Sequence, residues 1–375
     1  MSAQPITRRN FHRLLALGLS AAAMPLPNAD LHASETPGEP IRLHFNENPA
    51  GLSPGARRDL DSELFARAWQ YPAELWRALH SALANFHGID GESLILGNGS
   101  SELLAVAAQT FGGPGRRIVV ASPTYDAVAQ YGQGIGAEVV RVPLAGRYTH
   151  DLEAMVSAVD DGSGKRGNGL LYICNPNNPT GTITPKARVR AAIEAVPDET
   201  VVIVDEAYHH YVASDDYESV TPFVESHPNL LVLRTFSKIY AMAGLRCGYG
   251  IADRSLISRL RERQARNNLN AAALLAASAS LDDQEWVEES KKRNSAIRAM
   301  VTSRLEQLGH EVTPSEASFF MVKLGRDSRE VGAEFARRGV LVGRPFPPMT
   351  DYLRVSIGTE QQMKRFLDVF EEVMK

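Results

Sequence analysis

Short apolar runs recur through the middle of the chain, at Ser93–Leu96, Ile118–Ala121, Val139–Val142, Leu170–Cys174, Val201–Asp205 and Leu230–Thr235. Val201-Val202-Ile203-Val204 places an apolar residue on both sides of the strand alternation, so a strand there is buried on both faces. Stretches of helical period separate the runs, at about residues 101–111, 124–134, 151–160, 185–195 and 220–226. Strand and helix in turn dictate an α/β fold, a mostly parallel sheet covered by helices on both faces. Ligands of such sheets bind beyond the carboxyl ends of the strands.

The flanks extend this plan. Residues 56–87 read as helical around Tyr71-Pro72, with the proline opening a helix at Ala73. An extended piece, Ile41–Phe45, precedes them; a helix-rich stretch from Ser255 to about Leu308 follows the last run and includes one long helix. His310–Val322, Val331–Arg338, Leu353–Ile357 and Gln361–Val373 then read as a compact α+β unit. A chain of 375 residues exceeds what one core usually holds. The expected division is a leader at 1–33, an N-terminal arm at 34–60 belonging to the small domain, a large domain at 61–272 and a small domain at 273–375.

In the leader, Thr7-Arg8-Arg9-Asn10-Phe11 precedes an apolar stretch, Leu14–Met24, and then Pro25, Pro27 and Leu31-His32-Ala33. Paired arginines, a short apolar run and a small residue before a cut are the parts of a twin-arginine signal, with cleavage expected after Ala33. The run is too short to span a hydrocarbon core about 30 Å thick. Export to the periplasm by the twin-arginine machinery is the expectation; an unused signal would leave the chain in the cytoplasm. The leader holds Arg8, Arg9 and Arg13 against Asp30, so the formal net charge of −4 understates how acidic the remaining body is. No basic excess argues for nucleic acid. With 44 % hydrophobic and 22 % charged residues the chain is not disordered, and two cysteines make no disulfide framework. Cys174 and Cys247, at strand ends, are expected to be buried free thiols.

Gly132-Gln133-Gly134-Ile135-Gly136-Ala137 fits the dinucleotide fingerprint but follows a helix and precedes a strand, the reverse of what that fingerprint needs. It reads as a helix exit. His209-His210 lacks metal spacing, and no metal site is expected.

Four other stretches carry chemistry. Leu94-Ile95-Leu96-Gly97-Asn98-Gly99-Ser100-Ser101-Glu102 turns a strand through glycines into a helix start, where free N–H groups and the helix dipole suit a phosphate. Asn175-Pro176-Asn177-Asn178-Pro179-Thr180-Gly181 fixes a rigid turn at a strand end. Asp205, ending an apolar strand and followed by Tyr208, is costly to bury unpaired, so a cationic partner is expected from the protein or from a cofactor. Thr235-Phe236-Ser237-Lys238, with Arg246 eight residues on, can hold a phosphate while the lysine, its pKa lowered among apolar neighbours, reacts as a nucleophile.

Together these stretches resemble the fold-type I pyridoxal-phosphate aminotransferases, and within them the histidinol-phosphate aminotransferase group. The likeness runs from Leu43-His44-Phe45-Asn46-Glu47-Asn48-Pro49 to Leu353-Arg354-Val355-Ser356-Ile357-Gly358-Thr359. It implies a three-layer α/β/α large domain with a seven-stranded sheet, a smaller α+β domain, and pyridoxal 5′-phosphate as cofactor. It also implies a homodimer with shared active sites, the 34–60 arm taking part in the contact. By the same resemblance Lys238 forms the Schiff base and shuttles the proton, and Asp205 keeps the pyridine nitrogen protonated, making the ring a better electron sink. Asn178 and Tyr208 would bond the ring's 3′-oxygen, and Tyr125 would stack on the ring. Gly99, Ser100, Ser101, Thr235, Ser237 and Arg246 would cup the phosphate. Tyr71 would reach the phosphate of the neighbouring subunit, and Asn175 would order its turn.

On the substrate side the resemblance places Arg354 as the anion clamp, Arg344 as a second cation and Asn46 nearby. A guanidinium suits either the α-carboxylate of glutamate or the phosphate of histidinol phosphate. The chain departs from the family pattern at Gly343, which intervenes before Arg344, at Phe346-Pro347-Pro348, and at Ala317-Ser318 before Phe319. The implied activity is ping-pong aminotransfer from an amino donor to a keto acceptor, histidinol phosphate with 2-oxoglutarate leading. Alternatives are aminotransfer to aromatic or other keto acids, decarboxylation of an amino-acid phosphate on the same fold, and an exported binding protein without turnover.

Overall fold

The computed structural model describes residues 39–159 and 169–375, so the leader at 1–33 lies outside the described residues. The strands are, in chain order, β1 (Ile41–Leu43), β2 (Leu94–Gly97), β3 (Arg117–Ser122), β4 (Glu138–Pro143), β5 (Leu170–Cys174), β6 (Val201–Asp205), β7 (Leu230–Thr235), β8 (Gly248–Ala252), β9 (Phe319–Lys323), β10 (Val340–Val342) and β11 (Tyr352–Ser356). Seven of them form one sheet in the order β2-β8-β7-β6-β5-β3-β4, in which only β8 runs against its neighbours.

Both faces of this sheet are apolar because the runs alternate between two cores. Leu171, Ile173, Val202, Val204, Leu230 and Val232 enter one core. Leu170, Tyr172, Cys174, Val201, Ile203, Leu231 and Leu233 enter the other. Helices Ala73–His87, Lys186–Ala195 and Ala271–Asp282 contribute to the first core; Ser100–Phe111, Ala127–Gly134 and Arg254–Arg261 contribute to the second. A third core gathers Leu43 of β1 with β9–β11 and the helices Gln284–Gln307, Ser328–Arg337 and Glu360–Val373. There β1 pairs in parallel with β10, and β9 pairs antiparallel with β11, so the N-terminal arm is stitched to the C-terminal layer.

Strands β5, β6 and β7 coincide with their expected runs, but other elements differ from the sequence reading. The run β8, Gly-Tyr-Gly-Ile-Ala, is weakened as a strand signal by its glycines. Those glycines are there for closeness. A Cβ on Gly248 would stand 2.5 Å from the Ser100 backbone nitrogen and 2.9 Å from the Arg234 carbonyl oxygen. The stretch 220–226 forms a single 3₁₀ turn, Thr221–Phe223, and 151–160 shortens to Leu152–Ser157. Residues 56–87 form two helices, Pro54–Arg67 and Ala73–His87. The false fingerprint at Gly132–Ala137 is a helix exit between Ala127–Gly134 and β4. His209 and His210 begin a 3₁₀ turn, and the described residues hold no group of metal-ligand side chains. Both cysteines are buried and free. No helix among the described residues is long and apolar enough to cross a membrane.

Consecutive acids at the end of β6 point to opposite faces. Asp205 continues toward Tyr172, whereas Glu206 turns the other way and accepts from Arg234 Nη2 at 2.9 Å and Nε at 3.1 Å, with both residues buried. Glu206 also accepts from the Val220 N–H and Ser219 Oγ, which holds the following loop in place. Removing one member of such a pair strands the other charge. Arg234→Met is therefore expected to cost about 3–5 kcal/mol in urea unfolding, and Arg234→Met with Glu206→Leu to recover most of that loss.

Candidate active site

The parallel strands end together at one edge, with Cys174 in register with Asp205 and Thr235 beside Gly248. The loops leaving this edge surround a cavity of about 630 Å³. Asn46, Ser100, Ser101, Tyr125, Asn178, Asp205, Tyr208, Thr235, Ser237, Lys238, Arg246, Arg344 and Arg354 all line it. Gly99 sits just behind, as the N-cap of the Ser100–Phe111 helix. Tyr71 does not line it; 83 % exposed, it lies on the outer surface.

On the cavity floor Asp205 is 2 % exposed. Tyr172 Oη donates to its Oδ2 at 2.9 Å and the Ala207 N–H to its Oδ1 at 3.1 Å. No cation forms an ion pair with it among the described residues; the charge that acts on it most directly is that of Lys238. Burial pushes its pKa up to about 6, against the pull of Tyr172, Ala207 and Lys238. Lys238 Nζ lies 5.4 Å from the Tyr208 ring centre and donates only long bonds, 3.4 Å each, to the carbonyls of Phe45 and Asn46. Burial first, then Arg354, pulls its pKa down to about 8.

At one end of the cavity the parts of an anion cradle converge. Gly99 has φ 72° and opens the Ser100–Phe111 helix, whose first N–H groups lack partners within the helix. A Cβ at Gly99 would sit 2.3 Å from Arg246 Nη2, so only glycine lets the guanidinium lie against the helix start. Arg246 Nη1 donates to Ser237 Oγ at 3.2 Å and to the Ala243 carbonyl at 3.1 Å. Thr235 Oγ1 accepts from the Ser237 N–H at 3.1 Å, and the hydroxyls of Ser101 and Tyr125 lie 3.3 Å apart.

At the other end Arg354 is nearly buried. Its Nη1 donates to Asn178 Oδ1 at 2.8 Å and its Nη2 to the His44 carbonyl at 2.5 Å, while its Nε has no partner among the described residues. Burial pushes its pKa down to about 10, which leaves it charged at neutral pH. Its guanidinium lies 4.7 Å from the Phe346 ring centre, and that of the exposed Arg344 lies 4.4 Å from the same ring. Gly343 is the residue that permits this layout: its N–H donates to the Arg354 carbonyl at 2.8 Å, and a Cβ there would meet the same oxygen at 2.7 Å. Asn46, held at φ 56°, donates through Nδ2 to Tyr208 Oη at 3.1 Å and is tied to Ser356. Asn175 orders its turn by bonding both ways with the backbone of Thr184.

A family model for aminotransferase class I and II matches residues 41–370. The chain belongs to this family. Histidinol-phosphate aminotransferase of Moorella thermoacetica is 39 % identical to this aminotransferase over 89 % of the chain and 85 % of the relative. The enzyme of the same name from Symbiobacterium thermophilum is 38 % identical, over 89 % and 90 %. The crystal structure of histidinol-phosphate aminotransferase from Sinorhizobium meliloti in complex with pyridoxal 5′-phosphate superposes with a TM-score of 0.83 at 26 % identity, covering 90 % of this chain and 91 % of that one.

Pyridoxal phosphate is the cofactor of this aminotransferase, and the cavity fits it on its own terms. A buried carboxylate without a cation faces the floor, an amine with lowered pKa stands above it, and an anion cradle closes one end. Tyr172 is the residue that sequence reasoning missed. Its signal was a tyrosine inside a fully apolar strand, whose hydroxyl needs a buried acceptor.

Because the Lys238 pKa is lowered, its neutral, nucleophilic form predominates above about pH 8 rather than above 10.5. Borohydride trapping of pyridoxal phosphate on cofactor-free protein is expected to rise through a midpoint near pH 8 and to vanish in Lys238→Arg.

Proposed function

We propose that this aminotransferase exchanges an amino group between histidinol phosphate and 2-oxoglutarate, yielding imidazoleacetol phosphate and glutamate. The observation that carries this reading is the pair of guanidiniums, Arg354 and Arg344, packed on Phe346 at the substrate end. Each substrate of this exchange carries an anion far from the reacting carbon, and the two cations can take the phosphate of one and the carboxylates of the other in turn. The names of the relatives at 39 % and 38 % identity agree with it.

The bound cofactor supplies an electron sink for the substrate carbanion. Lys238 Nζ would hold the cofactor and carry the proton to and from the substrate α-carbon; its lowered pKa suits it to act as base and acid near neutral pH. Asp205 offers a carboxylate to the ring nitrogen. Asn46 donates to Tyr208 and Arg354 to Asn178, so Tyr208 and Asn178, which would meet the ring, are tied to the residues of the substrate end. Tyr125 would lie against the ring, and Ser100, Ser101, Thr235, Ser237 and Arg246, which line the same cavity, would hold its phosphate.

The same reading includes a homodimer. Phe65, Trp69 and Tyr71 are 86 %, 80 % and 83 % exposed, an apolar surface suited to a second copy, from which Tyr71 would reach the neighbouring phosphate. It also includes export through the twin-arginine route, supported by Arg8-Arg9 and the apolar run Leu14–Met24.

Lys238→Ala is expected to abolish transfer. Arg344→Ala is expected to raise KM for histidinol phosphate about tenfold or more, the loss of one charge-assisted contact, with little change in kcat. Release of CO₂ without formation of a keto product would instead assign a decarboxylase. Replacing Arg8 and Arg9 by lysine is expected to leave the protein in the cytoplasm, which fractionation of the two compartments reads directly.

A further inference from the structure

Tyr172 is fully buried on β5, and its side chain shares a sheet face with Asp205 of the neighbouring strand. It has the one short hydroxyl contact to Asp205, 2.9 Å to Oδ2, while Oδ1 is held by the Ala207 N–H. The carboxylate is thus held at both oxygens by neutral donors. The other titratable groups that feel it are Tyr125, Cys174, Tyr208 and Tyr217, with Lys238 above and Glu206 behind. Of these, none but Tyr172 hydrogen-bonds Asp205 through its side chain among the described residues.

We infer that Tyr172 is a positioning residue for the reaction: its hydroxyl occupies a lone pair of Asp205 Oδ2, so that a cationic ring nitrogen facing the carboxylate keeps its own proton. The inference rests on the reading that Asp205 meets the ring nitrogen. A carboxylate and a ring nitrogen in contact compete for one proton. Each donor to the carboxylate stabilises its charged form and weakens it as a base. With Tyr172 in place the proton stays on the ring, and the positive charge that makes the ring an electron sink is preserved. Without the hydroxyl the carboxylate would draw the proton away, the ring would be less cationic, and Lys238 Nζ, where it joins the cofactor, would be more basic. Burial of the hydroxyl also raises its own pKa well above the ordinary tyrosine value, so it donates at every working pH.

Tyr172→Phe removes one oxygen and keeps the ring in the core, so the test uses this variant in the loaded, full-length protein. The pH midpoint of the bound cofactor's visible absorbance is expected to move up by about one pH unit, the effect of one hydrogen bond to a charged group. The dissociation constant for pyridoxal phosphate, measured by equilibrium dialysis, is expected to rise about tenfold. In steady state kcat is expected to fall while KM for the amino donor stays put. Tyr217→Phe, which removes another buried hydroxyl, one without a partner among the described residues, is expected to leave the midpoint and the dissociation constant unchanged. Asp205→Asn separates the two levels of the reading. If Asp205→Asn shifts the midpoint and Tyr172→Phe does not, the role of Tyr172 is overturned and that of Asp205 stands. If neither variant shifts it, the assignment of Asp205 to the ring nitrogen falls as well.

Discussion

A carboxylate taken out of water at the end of an apolar strand costs several kcal/mol unless something cationic meets it, and among the described residues Asp205 accepts from two neutral donors, Tyr172 and the Ala207 N–H. Its pKa, driven up to about 6 by burial, records that deficit. Lys238 carries the mirror image, an ammonium pulled down to about 8 by the same dry surroundings. The protein holds both groups in one cavity without letting them neutralise each other at contact distance. A ligand with a cationic nitrogen and a carbonyl carbon answers both needs at once, which is the physical sense of building a pyridoxal-phosphate site in this way.

The neighbouring charge pair shows the other solution. Glu206, one residue on, faces the opposite core and is matched within the chain by Arg234. Alternation along β6 and β7 thus separates a self-contained ion pair that holds the scaffold from a carboxylate left open for chemistry. Arg246 and Arg354 divide the anion sites in a similar way. The first is wedged against the helix start by the missing Cβ of Gly99, and the second is gripped by Asn178 and the His44 carbonyl.

Most of this was legible in the residues where local pattern and tertiary role agree. Strands β5, β6 and β7 were readable to the residue because both of their faces are apolar, and the loops after them carry the chemistry that their ends predict. The reversed strand β8 was not, since its glycines answer a close approach of Ser100 and Arg234 that no local rule contains. Tyr172 was passed over because, in a run of apolar residues, its ring looks like core and its hydroxyl has meaning only beside Asp205, across the sheet. Arg344 and Arg354 were readable as cations, but their shared seat on Phe346 depends on how Gly343 packs against the next strand.

Asn46 joins the two ends of the molecule: its backbone N–H donates to Ser356 Oγ, 310 positions away in the chain, and its side chain donates to Tyr208. The His44 carbonyl is likewise met by Arg354, and β1 lies along β10. β1 is synthesised long before β10 and β11, so until they follow it has no strand partner there and the cavity has no substrate end. The seven strands of the sheet that carries the carboxylate floor all precede β9–β11 in the chain, whereas the residues that close the cavity above it come from both sides of those seven strands. The cavity therefore gains its substrate end only when β10 and β11 have docked against β1 and the segment that follows it.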